Sequence, residues 1–285
     1  MAIDSARVGS ETAPVAHDVE ARWTMAYAAA LGDDLPEYFD TTRSEGLRVH
    51  PLFPVCLEWP LVLASRGRGE ADDLPMHELV RGVHATHDLH LHRPIRAGER
   101  LTTTAIVAGI ERRRPGAYQV LRLDTVDEAN SPVCTTWMGT LFLGVDVVGP
   151  DRAAPDAPTF DVVSIGLDAH ERVLALPATA AHVYTECARI WNPIHTDLAF
   201  ARAAGLPGLL LHGTATLAHA VSFAVSEFAG GDSTRVKRVF ARFAAAVPLP
   251  VDLRFRAAIE RNVVAFEALL PDGRVAVRDG AILLE

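Results

Sequence analysis

Apolar positions along the chain switch from helical spacing to strand spacing twice, in the same order each time. From Trp23 to Leu31 they recur at helical intervals, and Gly32-Asp33-Asp34-Leu35-Pro36 stops the run, which predicts a short helix and a turn. Strand-like stretches follow between Asp88 and Leu143, at Leu101 to Val107, Tyr118 to Val126 and Val133 to Leu143. Arg114-Pro115-Gly116 and Glu128-Ala129-Asn130-Ser131-Pro132 separate them, so the segment reads as an antiparallel meander. After a stretch rich in Pro, Ala and Asp at 149–158, which has the character of a linker, the order repeats. Ala180 to Ile190 and Leu198 to Ala203 read as helices and Thr214 to Phe228 as a long apolar helix. Strands are expected at Val236 to Ala244, Val251 to Ala258, Val263 to Leu270 and Arg274 to Leu284.

A split at the linker gives halves 1–150 and 151–285. Gly32 to Asp40 and Arg189 to Asp197, laid side by side, share Pro at the fifth position and Asp at the ninth, which points to an ancient duplication. A long apolar helix followed by antiparallel strands buries its surface when the sheet wraps around it, an α+β arrangement.

Composition narrows the function. With 49% hydrophobic and 22% charged residues over 285 positions, the chain has material for a sizeable core. The net charge of −9 and the lack of a Lys/Arg cluster exclude the footprint of a nucleic-acid binder. No stretch approaches the ~20 uninterrupted apolar residues of a membrane span, and residues 1–20 lack a signal peptide's apolar core. Three unpaired cysteines, Cys56, Cys134 and Cys187, suggest neither a disulfide framework nor a zinc site and fit a reducing cytoplasm. The twelve histidines are scattered except for His84, His87, His90 and His92, for which spacing fixes no acidic or Cys partner, so no metal is expected.

Candidate chemistry gathers between Tyr184 and Leu217. Pro193 lacks an N–H and pushes Asn192 out of the α region, so the turn after the first helix projects its side chains. His195 there has the side-chain type suited to proton transfer near neutral pH; it reads as a general base or as a residue that caps the following helix. Asn192 and Asp197 also read as turn and cap residues. Gly205-Leu206-Pro207-Gly208 delivers His212-Gly213 to the start of the long helix, where free N–H groups and a partial positive charge could receive a thioester carbonyl oxygen at Gly213. Thr214 could cap that helix, His212 could be a buried residue bonded to backbone, and His219 reads as core.

Tyr184-Thr185-Glu186, Trp191-Asn192-Pro193-Ile194-His195-Thr196-Asp197, Ala204-Gly205 and His212-Gly213-Thr214-Ala215-Thr216-Leu217 together resemble the MaoC-like dehydratases, a hot-dog family that includes the (R)-specific enoyl-CoA hydratases. The N-terminal half, through Gly32-Asp33 to Asp40, His50 to Val55 and His92 to Ile95, is similar to the degenerate first repeat of double hot-dog members. The resemblance implies two antiparallel sheets, each wrapped around a long central helix, and a site in the C-terminal half. It further implies an acyl-CoA or acyl-carrier thioester as substrate, no cofactor and a homodimer. His195, Gly213 and Asn192 become the candidate catalytic residues, and His212, Thr214 and Tyr184 the candidate substrate-binding residues. One departure stands out: the family Asp, two residues before Asn192, is Ile190 here. The open readings are that His195 works alone or with another carboxylate such as Glu186, that the site binds thioesters without hydrating them as a partner subunit, or that Asp33 serves it from the first repeat, where Tyr38 stands in place of His.

Overall fold

The computed structural model describes residues 2–66, 81–160, 165–166 and 168–285. Its N-terminal half contains strands β1 (Ala2–Asp4), β2 (Val15–Asp18), β3 (Gly82–Leu91), β4 (Arg100–Arg113), β5 (Gly116–Asp127), β6 (Pro132–Leu143) and β7 (Asp146–Val148), with helices α1 (Ala21–Ala30), α2 (Pro36–Phe39) and α3 (Pro54–Arg66). The C-terminal half contains β8 (His170–Leu176), β9 (Val236–Phe243), β10 (Val251–Glu260), β11 (Val263–Leu269) and β12 (Val275–Leu284), with α4 (Ala180–Ala188), α5 (Leu198–Ala203) and α6 (Gly213–Phe228).

The two expected sheets are joined. Strands run β2-β4-β5-β6-β3-β9-β12-β11-β10-β8 in one sheet of ten, so each half supplies five strands in mirrored order. The junction is the antiparallel pair β3 and β9, with Thr86 opposite Arg242 and His90 opposite Arg238. Edge strands expose unpaired N–H and C=O groups, and here the inner edge of each half satisfies the other's. A salt bridge reinforces the seam: Arg238 grips Asp88 through its Nε (2.8 Å) and a terminal nitrogen (2.6 Å).

Helix α6 is buried on nearly every face, as an apolar helix inside a sheet must be. Its counterpart α3 escapes the apolar pattern because Pro54 opens it and Pro60 interrupts it. The main core runs through both halves, from Trp23, Tyr27 and Leu57 to Tyr184, Leu217 and Phe255. Helices α1 and α4 pack together; the Trp23 Nε1–H donates to the Cys187 carbonyl (3.1 Å). The start of the linker is held down rather than loose, with Arg152 bridged to Ile110 and Arg112 donating to the Val147 and Gly149 carbonyls (2.7 Å each). Strands β1, β2, β3, β7 and β8 are additions to the sequence reading: β8, for one, is exposed and charged over His170, Glu171 and Arg172 and shows no alternation.

Candidate active site

Helix α4 ends sooner than its apolar pattern suggested. Arg189 takes the left-handed conformation (φ 59°), and the Ile190 N–H turns back to the Thr185 carbonyl (3.1 Å). Ile190 thereby leaves the helix and buries its side chain, at 4% exposure. The chain then enters a short 3₁₀ turn, Pro193–His195, capped by the Asn192 side-chain oxygen, which accepts from the Ile194 N–H (3.4 Å). Asp197 caps α5 by accepting from the Phe200 N–H (2.9 Å). The carbonyl of Thr196, also in this turn, accepts from His182 Nε2 on α4 (3.1 Å), which fixes the turn against the helix.

On the facing side, residues 209–211 pair with 247–249: the Leu211 N–H donates to the Val247 carbonyl (2.8 Å) and the Leu249 N–H to that of Leu209 (3.1 Å). This pairing delivers His212 as the N-cap residue of α6. The first i→i−4 bond of α6 runs from the Thr216 N–H to the His212 carbonyl (3.0 Å), so the N–H groups of Gly213, Thr214 and Ala215 lie ahead of it and have no intrahelical acceptor. A Cβ on Gly213 would sit 3.2 Å from the Phe243 ring, so Gly lets that ring close over the helix start.

The turn and the helix start bring His195 and His212 together, their rings stacked with centroids 3.6 Å apart. His195 Nδ1 donates to the Leu210 carbonyl (2.8 Å), which fixes the tautomer and leaves Nε2 as an unprotonated acceptor. Burial lowers its pKa to about 4, against a smaller raising effect of the Leu210 bond. His212 lies behind it, 2% exposed, with Nε2 between the Thr185 hydroxyl (3.2 Å) and the Ile190 carbonyl (3.3 Å). Burial and the neighbouring His195 hold it well below the usual imidazole range. Tyr184 is buried too; its hydroxyl donates to Thr214 Oγ1 (3.1 Å), so Thr214 accepts from a side chain instead of capping α6.

Of the sequence candidates, His195 is brought to the start of α6 by its stacking on His212, the residue before Gly213, whereas Tyr184 bonds Thr214 and Asn192 caps the turn. Glu186 is exposed on α4, and among the described residues it makes no ion pair with His195. Asp33 belongs to a different place. It lies beside Ser222, and His212 and Ser222 are separated by about 15 Å along α6. Sequence reasoning passed over Phe243 and considered His84, whose ring meets that of Phe243 at 4.4 Å, only as a metal ligand.

The histidine cluster of the N-terminal half does not converge. His90 Nε2 faces Asp88 (3.0 Å), His92 bonds Thr135 (3.1 Å), and His84 and His87 turn towards one another with centroids 5.3 Å apart. Among the described residues no group of three or more His, Cys, Asp or Glu is placed to hold a metal ion, and no helix is long and apolar enough to cross a membrane.

Known proteins share this architecture. The chain is 28% identical over 99% of its length, and 98% of the relative's, to the 3-hydroxyacyl-thioester dehydratase Y of Mycobacterium tuberculosis. A MaoC-like dehydratase of Phytophthora capsici superposes with a TM-score of 0.84 at 20% identity, covering 99% of this chain and 98% of that one. A second Mycobacterium tuberculosis protein, described as a double hot-dog, superposes at 0.65 and 14% identity over 98% and 96%. Residues 6–136 match the FAS1-like dehydratase domain region and residues 174–276 match the MaoC like domain, so the chain joins a FAS1-like and a MaoC-like dehydratase domain in a double hot-dog fold.

Proposed function

We propose that the chain is an enoyl-thioester hydratase, or in reverse a 3-hydroxyacyl-thioester dehydratase, in which His195 carries the proton transfers alone. The supporting observation is the His195 ring, fixed through Nδ1 on Leu210 with Nε2 unprotonated, beside the free N–H groups at the start of α6. The thioester carbonyl oxygen would accept from the Gly213 N–H, which stabilises the enolate that develops in the transition state. His195 Nε2 takes a proton from water as its oxygen bonds to C3 of the trans-2-enoyl group. The imidazolium then returns that proton to C2, and the double bond is consumed. An imidazole with a pKa near 4 is a weak base at neutral pH, so the reaction should be slower than with a carboxylate at position 190.

The relatives that support this reading are the dehydratase Y above and the peroxisomal enoyl-CoA hydratase 2 of Arabidopsis thaliana, 23% identical over 56% of this chain. Ile190 favours a second reading, a site that binds acyl thioesters without turnover and serves as a partner subunit. Hydration of crotonyl-CoA and longer enoyl-CoA, followed by loss of the conjugated enoyl absorbance and by formation of the 3-hydroxyacyl product, separates the two. Turnover abolished by His195→Ala supports the enzyme; binding with no turnover at any chain length supports the partner. In either case residues 1–150 form the half without the base and 151–285 the half that carries it. The buried free thiols of Cys56 and Cys134 suit a reducing cytoplasm. A homodimer, implied by the resemblance, is tested by light scattering.

A further inference from the structure

Where β3 of the N-terminal half crosses in front of the C-terminal site, the wall holds polar groups with nothing to bond. His87 is 1% exposed and neither ring nitrogen has a hydrogen-bond partner; Nε2 of His84 is likewise buried and unpartnered. Buried polar groups are ordinarily paired, and an orphaned one points to a ligand. The His84 ring meets that of Phe243 at a tilt, centroids 4.4 Å apart, and the edge of Phe243 lies against Gly213, so the pair stands beyond the point where a thioester carbonyl would sit. Arg66, the last residue of α3, is close enough to His84 for its charge to lower that imidazole's pKa. Burial lowers the pKa of Arg66 itself to about 10, and among the described residues its guanidinium makes no ion pair. A half-buried guanidinium stays charged and favours an anion, which it binds best as a carboxylate through two parallel N–H donors.

We propose that the acyl group taken by this site ends in a carboxylate, held by Arg66, His84 and His87 at the far side of Phe243 from His195. The inference rests on the reading of the C-terminal half as an acyl-thioester site and adds what the acyl group carries. The thioester enters from the α6 side with its carbonyl at Gly213, the chain runs past the Phe243 ring, and the terminal carboxylate accepts from the guanidinium and from an imidazole N–H. Both imidazoles are neutral at pH 7, because burial lowers them, and each neutral ring keeps one N–H to donate.

Calorimetric titration with unreactive saturated thioesters tests this without depending on turnover. Succinyl-, glutaryl- and adipyl-CoA are compared with their methyl-ended counterparts, in the native protein, Arg66→Met and His87→Leu. At one chain length the carboxylate should tighten native binding by about tenfold or more. Arg66→Met should abolish that preference and His87→Leu reduce it, while methyl-ended thioesters bind all three proteins alike, which also shows that the variants are folded. Carboxylates that bind no tighter than methyl ends at any length, or a preference that survives Arg66→Met, would overturn the proposal and leave the thioester site standing. Absence of binding by every thioester would overturn both.

Discussion

The two halves of the molecule hold the same scaffold around different side chains. In each, a tyrosine on the first helix precedes by five residues a left-handed position, Gly32 (φ 63°) after Tyr27 and Arg189 (φ 59°) after Tyr184. The next N–H turns back in the same way, from Asp33 to the Ala28 carbonyl and from Ile190 to that of Thr185, both at 3.1 Å. Each tyrosine then faces a histidine before the central helix, Tyr27 to His50 at 5.5 Å and Tyr184 to His212 at 5.0 Å. What differs is the chemistry hung on the frame. The N-terminal half has the carboxylate of Asp33 and, five residues on, Tyr38; at the equivalent positions the C-terminal half has Ile190 and His195.

The helix starts differ as well. Pro51 follows His50 and offers no N–H, whereas Gly213 follows His212 and does. His50 is also set in the other tautomer: its Nδ1 accepts from the Leu52 N–H (3.1 Å), so Nε2 donates to Ser222 Oγ (3.1 Å) and is not a base. Burial alone brings His50 to about 3. Asp33 is raised by burial, opposed by the Ser222 hydroxyl and the Leu35 N–H. The difference teaches that one frame can carry a carboxylate near Ser222 in the first half and an imidazole beside a helix start with free N–H groups in the second.

The largest expected effect tests that contrast directly. His195→Ala should lower kcat for crotonyl-CoA hydration by about 10²–10⁴, while Tyr38→Phe, which removes a buried hydroxyl without a hydrogen-bond partner, should leave kcat unchanged. A comparable loss from Tyr38→Phe would end the assignment of the site to one half.

Next in size, Ile190→Asp restores to the C-terminal half what the N-terminal half kept. A carboxylate there should raise kcat by about 10–10², and its charge should move the acid limb of the pH–rate profile up from about 4, the pKa of His195 in the native site. An acid limb that stays in place would show that position 190 does not act on His195.

Acid should destabilise both halves alike. His50 and His87 in the first, and His195 and His219 in the second, have folded pKa values of about 3 to 4, below the ordinary 6.5. Between about 4 and 6.5 the unfolded chain therefore binds more protons, so stability rises with pH across that window and is lost on acidification. Each such imidazole contributes a slope of about 1.4 kcal/mol per pH unit, and urea midpoints at pH 7 and pH 5 measure the sum. The smallest effect is expected from Ser222→Ala, which leaves the His50 Nε2–H without its acceptor: a loss of about 1–3 kcal/mol in urea unfolding with kcat unchanged.

The local structure of the segment from Tyr184 to Leu217 was legible in the sequence because its parts are close together in the chain. Asn192-Pro193 announces the turn, His212-Gly213 announces the helix start, and α6 is apolar over its whole length. The central helix of the other half was hidden by Pro54 and Pro60, and β8 by its exposed charges. Helix α4 looked longer than it is because Ile190 continues the apolar pattern after Arg189 has already turned left-handed. The approach of His84 to Phe243 was illegible for a deeper reason: it exists only because β3 and β9 pair across the seam, and local patterns say nothing of which edges meet.

That seam has a further consequence for how the chain can change over time. In an assembly of two identical hot-dog subunits every substitution appears twice, and loss of a carboxylate empties both sites at once. Here the β3–β9 ladder is made within one polypeptide, so the halves stay together at any dilution and each keeps its own mutational history. Asp33 and Tyr38 on one side and Ile190 and His195 on the other display that independence, across a boundary that the backbone itself still holds closed.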